Sequence, residues 1–164
     1  MDYLNIIRNV CRIFNENDVD YMIVGGTAVA IHGYIRPTIG KNGQPTEKVD
    51  LDLWYRTTPQ NHARLLSAVE QLGKDVTEHR NAEVIDLAPF LRFEFEEYTL
   101  DLLPTIKAPL RFWQAYERRQ SFKSEGAEIV FISLEDLIQD KQATGRTKDI
   151  EDIENLRRIN SPGI

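Results

Sequence analysis

The chain has 164 residues, 41% of them hydrophobic and 28% charged, which is typical of a soluble globular protein and excludes a disordered tail or a membrane-embedded chain. Twenty-six acidic against twenty basic residues give a formal net charge of −6, which disfavours broad, sequence-independent binding to nucleic acid. No apolar run approaches the roughly 20 residues that span a bilayer, and the first residues lack the cationic start of a secretory signal. Because Cys11 is the single cysteine, no internal disulfide can form. We therefore expect a cytoplasmic protein with one domain over residues 1–164.

Hydrophobic periodicity predicts a mixed order of helices and strands. Apolar residues recur at helical spacing in the first 16 residues, whereas Val49 to Tyr55 alternates acidic and apolar residues with period two. In chain order, the predicted elements are a helix over 2–16, a strand over 21–24, a helix over 27–31, a loop over 36–48, a strand over 49–55, a helix over 59–72, strands over 84–87, 91–95 and 98–103, a helix over 109–117, a last strand over 128–132, and helices to about residue 158 that break near 144–145. This order predicts an α/β (α+β) fold with C-terminal helices.

Asp50 and Asp52 are separated by one residue within a predicted strand. Residues i and i+2 of a strand project to the same face, so the two carboxylates point to one place while Leu51 and Leu53 take the other face. Two like charges at this spacing repel each other, and Mg²⁺ is a cation that prefers such oxygen ligands. The alternative is an exposed edge strand whose acids face water. The pair therefore favours a cation site and leaves that alternative open.

Gly25, Gly26 and Thr27 lie directly between a predicted strand and a predicted helix. Glycine lets backbone N–H groups approach a ligand, a helix N-terminus favours phosphate, and Thr27 can add a hydroxyl donor. The alternative is a strand-to-helix turn that needs only the flexibility of glycine. These three residues are candidates for phosphate binding.

Asp101 stands between leucines in the predicted strand Tyr98 to Leu103. A buried carboxylate is costly unless it is paired or bound to a metal ion. The alternative is an acid at the strand end that caps the turn before Pro104. A carboxylate on a neighbouring strand could complete a three-acid site for two metal ions.

Together these residues resemble the nucleotidyltransferase superfamily that includes DNA polymerase β and the minimal nucleotidyltransferases. In that family a strand leads to a glycine pair at a helix start, a D-x-D strand follows, and a third acid lies on a later strand. The segment from Val24 to Thr38 resembles the branch related to AbiEii-type toxins, as does the closing segment from Asp136 to Asp152. The resemblance covers about residues 21–103 and 133–156. Relative to that branch, residues 39–48 are an inserted loop beside the site.

The resemblance implies both a fold and a set of site residues. It implies a mixed sheet packed with helices, and a catalytic centre in which three carboxylates hold Mg²⁺ or Mn²⁺: Asp50, Asp52 and Asp101. Asp101 would be the general base or its organiser. The triphosphate would be bound by the glycine turn and by a basic residue of the C-terminal helices: Gly25, Gly26, Thr27 and Lys141, with Arg146 and Lys148 as further candidates.

The implied reaction moves a nucleoside monophosphate from an NTP to a hydroxyl acceptor and releases pyrophosphate. The acceptor is open among a small molecule such as an antibiotic, a protein side chain and the 3′ end of a tRNA. A toxin–antitoxin role would add a cognate partner protein. The alternative is a catalytically inactive nucleotide- or protein-binding module of the same fold. A haloacid-dehalogenase-type phosphatase also uses D-x-D, but that motif follows a long apolar strand, and no apolar run precedes Val49.

Overall fold

The computed structural model describes residues 2–33, 48–81 and 89–161, which contain seven helices and six strands. The helices are α1 (Tyr3–Glu16), α2 (Gly25–Ile31), α3 (Pro59–Gln71), α4 (Thr77–Arg80), α5 (Phe112–Glu117), α6 (Leu134–Thr144) and α7 (Thr147–Asn160). The strands are β1 (Tyr21–Val24), β2 (Val49–Tyr55), β3 (Leu91–Glu94), β4 (Tyr98–Leu103), β5 (Gln120–Ser124) and β6 (Ala127–Phe131). In this part of the chain, no helix has the length and apolar character needed to cross a bilayer.

The six strands form one mixed sheet in the order β3-β4-β2-β1-β6-β5. β2 is parallel to β4 and β1 is parallel to β6, whereas the other three neighbouring pairs are antiparallel. α2 connects β1 to the antiparallel β2 by way of residues 32–48 and packs against both strands. The predicted mixed sheet packed with helices is confirmed.

The pleat of the central strands separates an apolar face from an acidic one. Leu51 and Leu53 of β2 and Leu100 and Leu102 of β4 are all 0% exposed. Because successive side chains of a strand alternate between faces, their neighbours Asp50, Asp52 and Asp101 project from the opposite face. A one-residue slip of register would bury the acids and expose the leucines, so the apolar face fixes where the carboxylates lie.

Local sequence features mark the helix ends near this core. Thr58 caps α3, with Pro59 in its first turn, and its hydroxyl accepts a hydrogen bond from the Asn61 N–H at 3.2 Å. Ser133 caps α6 in the same way through the Asp136 N–H. Gly145 has a φ of +65° and separates α6 from α7, close to the predicted break.

Two elements of the structure have no counterpart in the predicted order. β5 is a polar edge strand that pairs with β6 across a two-residue turn, Glu125-Gly126, in which both residues have positive φ. β5 carries no apolar periodicity, because it buries almost none of its surface, and the short helix α4 has no buried residue. The strand predicted over 84–87 and nearly all of the loop over 39–48, like Arg36 and Thr38, lie outside the described residues.

Candidate active site

The acidic site is a row of side chains across four neighbouring strands. In register, Arg92 of β3 pairs with Asp101 of β4, Asp101 pairs with Asp52 of β2, and Asp52 pairs with Val24 at the end of β1. Asp50 lies two residues before Asp52 on the same face, and it is exposed. The sheet therefore brings together the three carboxylates that the sequence singled out.

The glycine turn lies directly against Asp52. Gly25 has a φ of +66°, and a Cβ placed on it would come within 2.3 Å of the Asp52 Oδ2 atom. The positive φ therefore favours glycine at this position, and a Cβ would have to displace the Asp52 carboxylate. Gly26 is the next residue and is exposed at the start of α2. This contact places the predicted phosphate-binding turn beside the predicted metal ligands.

Thr27 is 1% exposed and links this turn to β2. Its hydroxyl donates to the Asp50 carbonyl oxygen at 3.2 Å and accepts from the Tyr3 hydroxyl at 2.9 Å. In this structure the Thr27 hydroxyl hydrogen is therefore used in the bond to the Asp50 carbonyl oxygen. A hydrogen bond from Thr27 to a phosphate group stays a prediction. Tyr3 was not singled out by the sequence, because it is one residue of an amphipathic helix whose contact with Thr27 depends on tertiary packing.

Asp52 carries an electrostatic cost. Burial is the largest cause, followed by the negative charges of Asp101 and Asp50, and together they raise the pKa of Asp52 to about 6. The positive charges of Lys141 and Arg92 act in the opposite direction but do not cancel the effect. A cation bound beside Asp52 would relieve this cost.

Arg92 is bound to Asp101 through two hydrogen bonds. Its Nε donates to Oδ1 at 2.7 Å and its Nη2 donates to Oδ2 at 2.8 Å, which is the bidentate geometry of a strong ion pair. Asp101 is 8% exposed, so this pair supplies the partner that a buried carboxylate needs. No sequence motif singled out Arg92. The alternation in Leu91–Glu94 could have indicated it, since it puts Arg92 on the polar face of its strand.

Lys141 lies in a buried charge network between α6 and α7. It is 5% exposed, and its Nζ is 3.2 Å from a carboxylate oxygen of Asp149 and 3.2 Å from one of Asp152, both residues being 0% exposed. Arg146 adds a second cation through its 2.7 Å bond to Asp149. Lys141 is close enough to affect the titration of Asp52, but its ammonium contacts these two carboxylates. Lys148, the other candidate on these helices, is exposed.

The donor atoms fit a hard divalent cation only in part. Asp50 and Asp52 offer carboxylate oxygens from one strand face, and Asp52 is disfavoured in its charged form without a cation. Both oxygens of Asp101 are hydrogen-bonded to Arg92. Across residues 2–33, 48–81 and 89–161, no group of three or more His, Cys, Asp or Glu side chains is arranged to hold a metal ion. Asp50 and Asp52 therefore fit as ligands, whereas a metal ion on Asp101 would compete with Arg92.

Comparisons with known proteins identify the fold. No protein-family model and no curated protein matches the chain. The antibiotic-resistance factor ANT(2'')-Ia, solved in solution, is 22% identical with a TM-score of 0.55, over 96% of this chain and 85% of that one. The lincosamide antibiotic adenylyltransferase LnuA, solved with lincomycin bound, is 20% identical with a TM-score of 0.54, over 90% of this chain and 91% of that one.

A third similar structure is an antigenic nucleotidyltransferase-like protein from Paracoccidioides brasiliensis. It is 15% identical with a TM-score of 0.53, over 97% of this chain and 77% of that one. At these identities the likeness concerns the fold. The mixed sheet and its helices have the nucleotidyltransferase fold that the resemblance predicted.

Proposed function

We propose that the protein is a metal-dependent nucleotidyltransferase that moves a nucleoside monophosphate from an NTP to a hydroxyl acceptor and releases pyrophosphate. The observation that carries the proposal is the register of β2 and β4, which places Asp52 beside Asp101 with the Gly25 turn against Asp52. An architectural role does not require two buried or half-buried acids side by side, since like charges at this spacing are costly. A reaction that transfers a phosphoryl group with bound cations does require such a group of acids.

The residues of the chain have distinct roles in this proposal. Asp50 and Asp52 would hold Mg²⁺ or Mn²⁺, and the bound cation would neutralise phosphate charge and stabilise the charge that develops at the α-phosphate. Gly25 and Gly26 would let backbone N–H groups approach the triphosphate, because glycine carries no side chain of its own. Asp101, fixed on the neighbouring strand, orients the acceptor hydroxyl or receives its proton.

A small hydroxyl-bearing molecule is the acceptor class that we favour. ANT(2'')-Ia has been solved with adenylyl-2''-tobramycin and LnuA with lincomycin, and both share this fold. The net charge of −6 also disfavours a large polyanionic acceptor such as tRNA. We therefore propose an aminoglycoside or lincosamide hydroxyl as the first acceptor to test and ATP as the first donor.

The test is a transfer assay with a matched inactive variant. The protein is incubated with Mg²⁺, each NTP in turn and a panel of aminoglycosides and lincosamides, while pyrophosphate release and the mass of the antibiotic are followed. A gain of one nucleoside monophosphate that is lost in Asp52→Asn would support the proposal. If no acceptor is modified, radiolabelled NTP with a cell lysate extends the search to proteins and tRNA. Absence of transfer to all three classes would overturn it.

A binding module of the same fold is the second candidate. The observation that favours it is the Arg92–Asp101 pair, which occupies the third acid. A toxin–antitoxin role in the cytoplasm, with a cognate partner protein, rests on the resemblance of residues 24–38 and 136–152 to the AbiEii-type branch. Thermal stabilisation by Mg²⁺–NTP without any transfer would favour the nucleotide-binding module over the enzyme.

A further inference from the structure

Arg92 contacts the acidic site although the proposed reaction assigns it no role. It lies on β3, outside both the glycine turn and the D-x-D strand. Its guanidinium bonds both oxygens of Asp101, at 2.7 and 2.8 Å. The Arg92 side chain is 56% exposed and that of Asp101 only 11%. The arginine therefore covers the carboxylate from the solvent side.

The contact between Arg92 and Asp101 affects the charge balance of the acidic site. Asp101 has a carboxylate, Asp52, as its register partner on one side and Arg92 as its partner on the other. Lys141 is also near the acids, but its ammonium contacts Asp149 and Asp152. Arg92 is thus a cation that bonds directly to one of the three site carboxylates.

A guanidinium and a divalent cation compete for the same atoms. A bidentate arginine uses one in-plane lone pair on each carboxylate oxygen, and a metal ion also binds through these oxygens. The guanidinium and the metal ion, both positively charged, also repel each other when they lie against the same carboxylate. Each oxygen keeps a second lone pair, but a divalent cation on Asp101 would have to bind against the charge of the guanidinium or displace one of its hydrogen bonds.

We propose that Arg92 is a resident counter-cation of the acidic site, which holds Asp101 in the metal-free protein and competes with a divalent cation for the Asp101 carboxylate. The inference rests on the proposed function in placing a metal ion at Asp50 and Asp52, and it adds Asp101 as a further carboxylate that the metal ion can reach. Arg92 acts through Asp101 and is a positioning residue. It keeps the Asp101 side chain in one orientation and weakens the affinity of the site for free metal ions.

The test measures binding of Mn²⁺ alone, by electron paramagnetic resonance of the free ion, so that no activity is needed. Arg92→Gln removes the competing charge and should bind Mn²⁺ roughly tenfold more tightly than the parent. Arg119→Gln is the matched control, since it makes the same change of net charge at an arginine stacked on Tyr116. Its Mn²⁺ affinity should equal that of the parent. Equal affinity in Arg92→Gln and the parent would overturn the proposal.

A double-mutant cycle separates competition at Asp101 from a general effect of charge. In an Asp101→Asn background the carboxylate for which Arg92 competes is absent, so adding Arg92→Gln should raise Mn²⁺ affinity by much less than tenfold, through the charge effect on Asp52 alone. A tenfold gain that survives in this background would overturn the proposal, because Arg92 would then act only as a nearby charge.

A measurement on the parent protein guards against variants that do not fold. In the ¹H–¹⁵N spectrum, the Arg92 Nε–H resonance should shift during a Mg²⁺ titration that is continued until the Gly25 amide resonance stops moving. An Arg92 resonance that does not move in this titration would overturn the proposal.

The outcome for Arg92 can be separated from the outcome for the proposed function. A tenfold gain of Mn²⁺ affinity in a protein that transfers no nucleotide supports the inference while the function fails. Nucleotide transfer with unchanged Mn²⁺ affinity in Arg92→Gln does the reverse.

Discussion

The substitution Asp52→Asn should stabilise the metal-free protein at neutral pH. Burial and the charges of Asp101 and Asp50 raise the pKa of Asp52 from an ordinary value of 3.8 to about 6. In the unfolded chain the same carboxyl titrates near its ordinary value, so at pH 8 folding carries a charged group into a place that disfavours charge. A difference of about two pH units corresponds to up to about 3 kcal/mol in the free energy of unfolding. An uncharged side chain of the same shape removes this cost.

The effect should depend on pH in a defined direction. Between about pH 4 and pH 6 the folded protein binds more protons at Asp52 than the unfolded chain does, so the stability of the parent falls as pH rises through this window. Above about pH 6 the free-energy cost of carrying the charged Asp52 carboxylate into the folded protein is constant. The advantage of Asp52→Asn should therefore be about 3 kcal/mol at pH 8, roughly 6–12 °C in Tm for a chain of this size, and should disappear near pH 4.

The measurement is urea denaturation of parent and variants at pH 8 and pH 4 in the presence of EDTA. Asp149→Asn is the control of opposite sign. Burial alone would raise the pKa of Asp149, but hydrogen bonds from Arg146 and Lys141 outweigh it and lower this pKa to about 2. The resulting stability is present above about pH 4 and is lost as pH falls towards 2, so Asp149→Asn should be less stable than the parent at pH 8. If Asp52→Asn were no more stable than the parent at pH 8, while Asp149→Asn fell as expected, burial and the neighbouring carboxylates would not disfavour the charged form of Asp52.

Three further outcomes follow from the same contacts. Gly25→Ala should lose Mn²⁺ binding as well as stability, because its Cβ would contact the Asp52 carboxylate. Gly145→Ala is the control: Gly145 also has positive φ, +65°, but a Cβ there would meet no atom closer than 3.6 Å, so only about 1–2 kcal/mol of stability should be lost to backbone strain. Melting curves and Mn²⁺ titrations measure both effects. Thr27→Ser should keep the stability of the parent and Thr27→Val should lose about 1–3 kcal/mol, since only valine leaves the Tyr3 and Asp50 partners without a bond; equal urea midpoints would contradict this. Lys141→Met should lower the free energy of unfolding by about 3–5 kcal/mol, because two buried carboxylates lose a cation.

Much of the fold could be predicted because its strands and helices carry local periodicity. The alternation in Val49 to Tyr55 predicted both a strand and a face with two carboxylates, and the pairing of β2 with β4 confirms the strand and shows the buried leucines behind it. The glycine pair marked the start of α2 because its first residue needs positive φ. Each of these features depends on residues close in sequence.

Features that depend on distant pairing could not be read in this way. The contact of Arg92 with Asp101 requires the antiparallel register of β3 on β4, and nothing in either strand alone states that register. β5 was missed for a related reason, since an exposed edge strand is held by backbone bonds to β6 and needs no apolar pattern. The sequence therefore predicted the acids and named Lys141 among the nearby cations, but it did not indicate Arg92, which bonds Asp101 directly.

The contacts of Lys141 indicate whether helices α6 and α7 supply a phosphate ligand or only a structural contact. As a phosphate ligand, Lys141 would need its ammonium free, but the buried carboxylates of Asp149 and Asp152 would then lose the cation that they share. The network of these three residues and Arg146 carries two positive and two negative charges, so it adds little net charge beside Asp52. In this structure the network joins α6 to α7. Lys141→Met should accordingly lose stability while the remaining folded protein binds Mg²⁺–NTP with the affinity of the parent. Parental stability with weakened nucleotide binding would instead identify Lys141 as the phosphate contact.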